Sequence, residues 1–196
     1  MAHTPAAAVD FVVPGHRAPA VGLEAPFELL AACHDRVRRS LDLLERLQKH
    51  VADNGCDDSA RTAATDVMRY FDLAAPLHHQ DEELHVFPVV LRGQDVFLHA
   101  LVRKLQLEHM EMHNRWQVAR QVLQRIASAE SCDASPLCEE QLQALHSFSA
   151  LYSDHMENEE LQVYPAATSQ LSPAQVAAMG TEMGIRRGLH PHEAQS

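Results

Sequence analysis

The stretch His78-His79-Gln80-Asp81-Glu82-Glu83-Leu84-His85-Val86-Phe87-Pro88 lies without a gap over His155-Met156-Glu157-Asn158-Glu159-Glu160-Leu161-Gln162-Val163-Tyr164-Pro165. The matched positions include His78 with His155, Glu82 with Glu159, Glu83 with Glu160 and Pro88 with Pro165. The repeat selects His78 over its neighbour His79, whose counterpart is Met156. Residues four apart on an α-helix share a face one turn apart, so each copy offers an H-x-x-x-E pair that can reach one point. A weaker repeat lies outward of this one: His34-Asp35-Arg36, then Leu44, Arg46 and Leu47, parallels His113-Asn114-Arg115, then Leu123, Arg125 and Ile126. The chain therefore reads as two helical hairpins, each with a histidine on its first helix and an H-x-x-x-E pair on its second. His109 adds an H-x-x-x-H pair with His113.

The residues around these motifs carry helical spacing. Leu30, His34, Val37, Leu41, Leu44 and Val51 form a stripe that predicts a helix from Pro26 to about Asp53, stopped near Asn54-Gly55. After the Asp57-Asp58-Ser59 capping cluster, Val67, Phe71, Ala74, His78, Glu82 and Val89 share one face of a second helix, which Pro76 and Pro88 are expected to kink or split. A third helix, from about Gln94 to Ala129, presents Leu98, Val102, Leu105, His109, His113, Trp116 and Leu123 along one side. Beyond the polar loop Ser131 to Ser135, Pro136 opens a fourth helix with Leu145, Phe148, Tyr152, His155 and Glu159 on one face, and Pro165 should distort its last turn. Ser172-Pro173 predicts a short fifth helix ending near Gly188. The expectation is an all-α protein: an antiparallel up-and-down four-helix bundle with a short additional C-terminal helix. Residues 1–25 would form a loosely ordered arm, 26–170 the bundle, and 171–196 the short helix and tail.

Composition points the same way, since 5% aromatic residues and 7 glycines among 196 residues favour helices, and 46% apolar content fills one core. A net charge of −11 would repel nucleic-acid phosphate and anionic lipid, so neither is expected as a partner. The segment Val9 to Val13 is interrupted by Asp10 and no basic residue precedes Arg17, unlike a secretory signal. No apolar run reaches the roughly 18 residues of a membrane span, and a cytoplasmic location is expected. Cys33, Cys56, Cys132 and Cys138 match neither a zinc ribbon nor a C-x-x-C pair and are read as reduced thiols.

The anomalous count is 14 histidines, several of which interrupt the apolar stripes. Two carboxylates facing imidazoles in an apolar interior carry desolvation costs of several kcal/mol each, which a pair of divalent cations removes. Five histidines and two glutamates are too many for one zinc, which needs four ligands, but they divide between two metals that a carboxylate can bridge at about 3.5 to 4 Å. Such ligands suit iron, manganese or zinc. His79 with Glu83 is an alternative pair one residue out of register. All the same, His79, Glu83, His85 and Glu157 read as supporting or surface groups, and Tyr152, Trp116, Cys33, Met110, Met112 and Met156 as packing. A ferritin-like carboxylate site needs two E-x-x-H motifs, and Glu82-x-x-His85 is the one convincing instance. No nucleophile elbow suggests a hydrolase.

His34, His78-x-x-x-Glu82 followed by Glu83 and Phe87-Pro88, His109-x-x-x-His113, and His155-x-x-x-Glu159-Glu160 resemble the hemerythrin-like, HHE cation-binding family over roughly residues 26 to 168. The resemblance implies a two-iron site. His34 and His78 would ligate one iron, His109, His113 and His155 the other, with Glu82 and Glu159 bridging; zinc or manganese rank behind iron. The family's animal oxygen carriers place the second carboxylate five residues after the last histidine, which makes Glu160 the alternative to Glu159. Such a ligand set leaves one coordination position open on the iron with fewer protein ligands. The expected function is reversible binding of O2 or NO for sensing, delivery or protection. The alternatives are a diiron enzyme that removes peroxide or NO or donates iron to damaged iron-sulfur clusters, and a structural or regulatory bundle. The repair proteins similar in the HHE portion carry an additional N-terminal cysteine motif, and residues 1–25 contain no cysteine.

Overall fold

The computed structural model describes residues 23–129 and 137–188, and every regular element among them is helical. The elements are α1 (Pro26–Asn54), α2 (Asp58–Asp81), α3 (Phe87–Leu91), α4 (Val96–Ser128), α5 (Glu139–Ser149), α6 (Tyr152–Asn158), α7 (Tyr164–Thr168) and α8 (Pro173–Arg186). Two π-helical turns, Glu82–Val86 and Glu159–Val163, join α2 to α3 and α6 to α7. The expected N-terminal arm up to residue 22, the loop Ser131 to Ser135 and the tail beyond Gly188 lie outside the described residues. No described helix is long and apolar enough to cross a membrane.

Local chemistry sets the helix ends. Asp57 accepts from the Ala60 N–H and Asp95 from the Phe97 and Leu98 N–H groups, which satisfies donors that a helix start leaves free. Ser172 and Gln175 form a capping box ahead of α8. Gly55 follows α1 at φ 76°, in the left-handed region that costs glycine least.

Pro88 and Pro165 distort their helices as expected, whereas Pro76 does not. Pro76 lies inside a continuous α2. Before Pro88 the backbone widens, and the Phe87 N–H bonds the Glu82 carbonyl five residues back; Tyr164 and Glu159 do the same before Pro165. A proline ring in an α-helix collides with the carbonyl four residues earlier, and a wider turn avoids that register. Each copy of the repeat therefore carries a π turn that starts on its first glutamate.

The helices pack α1 on α2, α2 on α4 and α4 on α5, with α8 against α1. Their apolar stripes form two clusters. One gathers Val37, Leu44 and Val51 with Phe71, Trp116, Leu123, Leu145 and Phe148. The other gathers Leu30, Val86, Phe87, Val102, Leu105, Val163 and Met183. On every long rod the break between clusters falls at the same level, and there the buried residues are His34, His78, Glu82, His109, His155 and Glu159. Full burial of each large apolar side chain above and below stabilises the bundle by roughly 1.5–3 kcal/mol, which holds this polar layer between two dry ones.

On α4 the buried row is Val102, Leu105, His109, Met112, Trp116, Ala119, Leu123 and Ile126. This row steps alternately by three and four, as in a heptad seam. His113 stands one position off it and is exposed. Met112, 1% exposed, takes the core place expected for His113.

α8 closes over the end that holds the second cluster. A Cβ on Gly180 would sit 1.8 Å from the Leu23 carbonyl oxygen, so only glycine permits this approach. The buried Asp81 carboxylate accepts from Arg186 (2.6 Å) and Arg187 of the same end of the chain, and His85 pairs with Glu182.

Candidate metal centre

The layer resolves into two groups that share their carboxylates. In half-site A, His34 Nε2 lies 3.2 Å from Glu159 Oε2 and 4.0 Å from Glu82 Oε1, and His78 Nε2 lies 3.5 Å from Glu82 Oε1. In half-site B, His155 Nε2 lies 3.1 Å and His109 Nε2 3.7 Å from Glu159 Oε1, and His109 Nε2 lies 3.5 Å from Glu82 Oε2. Each carboxylate thus turns one oxygen to each half-site. Ligand atoms around an ion with bonds of about 2.1 Å are spaced about 3 Å apart, and these separations match that scale. The clusters His34, His78, Glu82, Glu159 and His109, His155, Glu159 each converge within 4.8 Å and are buried throughout.

The outer ring nitrogens are held by a second set of carboxylates. His34 Nδ1 donates to Glu160 (2.8 Å), His109 Nδ1 to Glu83 (2.9 Å) and His155 Nδ1 to Glu108 (3.0 Å). An Nδ1–H held in this way leaves the Nε2 lone pair facing inward, the tautomer a metal requires. The second glutamate of each repeat copy therefore reaches the histidine of the opposite hairpin. Arg38 holds Glu160 at 2.8 Å and Lys104 holds Glu108 at 3.4 Å. By the same symmetry the partner of His34 is His109, not His113 as the weaker repeat suggests. His155 is held by the residue before His109; the residue before His34 is Cys33, and His78 Nδ1 has no hydrogen-bond partner among the described residues.

Inside the ring almost every atom is an acceptor. Among the described residues, Glu82 Oε2 and both oxygens of Glu159 have no hydrogen-bond partner, and the one hydroxyl donor is Tyr164, which donates to Glu82 Oε1 at 2.5 Å. Burial and the facing Glu159 carboxylate push Glu82 well above the usual carboxylate range. Burial also opposes charge on Glu159, but the imidazoles of His109, His155 and His34 around it hold it well below that range. Burial depresses His78, aided by the neighbouring His34. Burial acts downward on His155 too, yet its bond to Glu108 and the adjacent Glu159 carboxylate raise it to about 9. A metal-free core thus balances its carboxylates with protons. Acceptors converging without donors are the donor set a cation pair fits.

Of the residues expected at the site, His34, His78, Glu82, His109, His155 and Glu159 meet in this layer, and His113 does not. Glu160, weighed as an alternative ligand, points at an outer nitrogen instead, and Glu83 does the same, in keeping with its reading as a supporting group. His79 stacks on His109 at 4.0 Å between ring centres, outside both clusters. Glu108 and Tyr164 were not foreseen. The signal for Glu108 was its place beside His109; for Tyr164 it was the one hydroxyl that distinguishes it from its repeat partner Phe87.

The description "Hemerythrin HHE cation binding domain" belongs to a family model that matches residues 25–167. An uncharacterized protein of Haemophilus influenzae is 28% identical over 162 residues, which span 83% of this chain and 90% of that protein.

Proposed function

The chain belongs to the hemerythrin HHE cation-binding family, and from that premise we propose that it is a diiron protein that binds O2 or NO reversibly, for sensing, delivery or protection. In this reading the long helices form an antiparallel up-and-down four-helix bundle in the cytoplasm. His34 and His78 would hold one iron and His109 and His155 the other, with Glu82 and Glu159 available to both. The observation that carries it is the division of each carboxylate between two histidine pairs, with Glu159 3.2 Å from His34 and 3.1 Å from His155. When bound, the iron pair supplies open coordination positions for a small diatomic ligand. The protein's part is to orient the imidazoles of His34, His109 and His155 through Glu160, Glu83 and Glu108, to turn their Nε2 atoms inward, and to exclude water with the apolar clusters on either side.

With His113 turned outward, each ion would have at most four donors among the residues of this layer, which would leave more than one position open. That favours a second reading, the removal of peroxide or NO by turnover at the pair. Iron content and the visible spectrum before and after anaerobic reduction, then on exposure to air or NO, test both. Two irons per chain, with absorption that cycles without loss of ligand, support reversible binding; steady consumption of peroxide or NO supports the enzyme. Zinc alone, or a stable metal-free bundle, overturns the diiron reading.

A further inference from the structure

The two half-sites differ in one atom beyond their histidines. Tyr164, 6% exposed, follows the second π turn and stacks on His34 with ring centres 5.7 Å apart. Its hydroxyl oxygen lies 3.2 Å from His34 Nε2 and 2.5 Å from Glu82 Oε1, two of the atoms that define half-site A. The matching residue of the first copy is Phe87, which stacks on His109 at 5.6 Å in half-site B and carries no oxygen. Among the described residues, His78 of half-site A has no carboxylate on its outer nitrogen, while both histidines of half-site B have one.

We propose that Tyr164 is a fifth protein donor of half-site A, so that the metal pair is inherently unequal and an exogenous ligand binds at half-site B. The inference rests on the diiron reading above. The phenolic oxygen is at ligand-edge spacing from His34 Nε2 and within reach of Glu82 Oε1, two atoms of the same half-site. Coordination replaces its O–H bond by an O–metal bond, and the proton leaves to solvent. The anionic oxygen makes up for the weaker donation of an unsupported His78 imidazole. A surface groove is lined by Phe27, Ala31, Glu160 and Tyr164, so Tyr164 belongs both to its wall and to half-site A.

The test is the purified full-length chain loaded with ferric iron, with iron content measured beside visible absorption and resonance Raman spectra. The expected result is two irons per chain, a visible tyrosinate-to-iron charge-transfer band, and tyrosinate modes that vanish in Tyr164→Phe. Tyr70→Phe and Tyr152→Phe should leave the modes unchanged, because Tyr70 donates to the Cys33 carbonyl and Tyr152 packs on Phe71 and Phe148. If Tyr164→Phe does not fold, the wild-type spectrum still decides, with ring-deuterated tyrosine identifying the modes. Two irons without tyrosinate modes overturn the proposal and leave Tyr164 as a hydrogen-bond donor to Glu82. Failure of the wild-type chain to take up iron overturns it together with the diiron reading, and the iron content distinguishes that case.

Discussion

In the first copy of the repeat, Asp81 and His85 face α8, pairing with Arg186, Arg187 and Glu182; in the second, the matching Asn158 and Gln162 bond each other and the Asp154 carbonyl. Asp81 is fully buried, whereas Asn158 is part-exposed. His79 stacks on His109, and its counterpart Met156 fills the larger apolar cluster. Phe87 closes half-site B with a ring, and Tyr164 brings a hydroxyl to half-site A. The identical positions build the shared layer, and the substituted ones give each copy its own neighbour. Sequence symmetry therefore marks what the two halves do together, and its breaks mark what each does alone.

The most severe way to break the comparison is at the shared carboxylates. Glu159→Ala or Glu82→Ala should reduce two irons per chain to nearly none, because each residue serves both half-sites, whereas His78→Ala should leave about one. Loss of both ions also removes their linked stability, about 2.7 kcal/mol at a free-metal concentration one hundred times Kd, readable as a lower unfolding midpoint. Full loading of both glutamate variants would move the site one residue along, to His79 and Glu83.

Asp81→Ala should cost about 3 kcal/mol in denaturant unfolding, because two arginines lose their buried counter-charge, against roughly 0.5 kcal/mol or less for Asn158→Ala. Equal losses would mean that α8 contributes nothing to the difference between the copies.

Smaller effects follow at the outer nitrogens. Glu83→Gln, Glu108→Gln and Glu160→Gln should each weaken metal binding by about ten- to a hundredfold in chelator competition. Acid should act through the same place. His155, raised to about 9 by its bond to Glu108 and the adjacent Glu159 carboxylate, holds a proton below that pH in the metal-free chain. Metal must expel that proton, so affinity should rise by about tenfold per pH unit towards pH 9 and then level off for this group. In Glu108→Gln the levelling point should fall to lower pH. The smallest effect is expected from His113→Ala, with iron content unchanged; loss of iron there would restore the five-histidine set.

How far the sequence alone reaches follows from the range of the forces involved. Helix limits depend on a few adjacent residues, and the Asp57 and Ser172 caps, the Gly55 stop and the apolar stripes were all legible at close to their observed positions. The H-x-x-x-E pairs were legible for the same reason, since four residues along one helix is a local distance. His113 was misplaced because a step of four from His109 is as helical as a step of three to Met112. Only the seam formed with the facing helices decides between them, although apolar residues at 112, 119 and 126 already traced it. Asp81, Glu108 and Tyr164 owe their roles to groups on other helices, at Arg186 and Arg187, His155, and Glu82 with His34. Local periodicity thus determined the helices and the pairs each one offers. The tertiary packing decided which nitrogen faces inward, which carboxylate holds it and which half of the centre has a hydroxyl, because each of these is a contact between residues far apart in the chain.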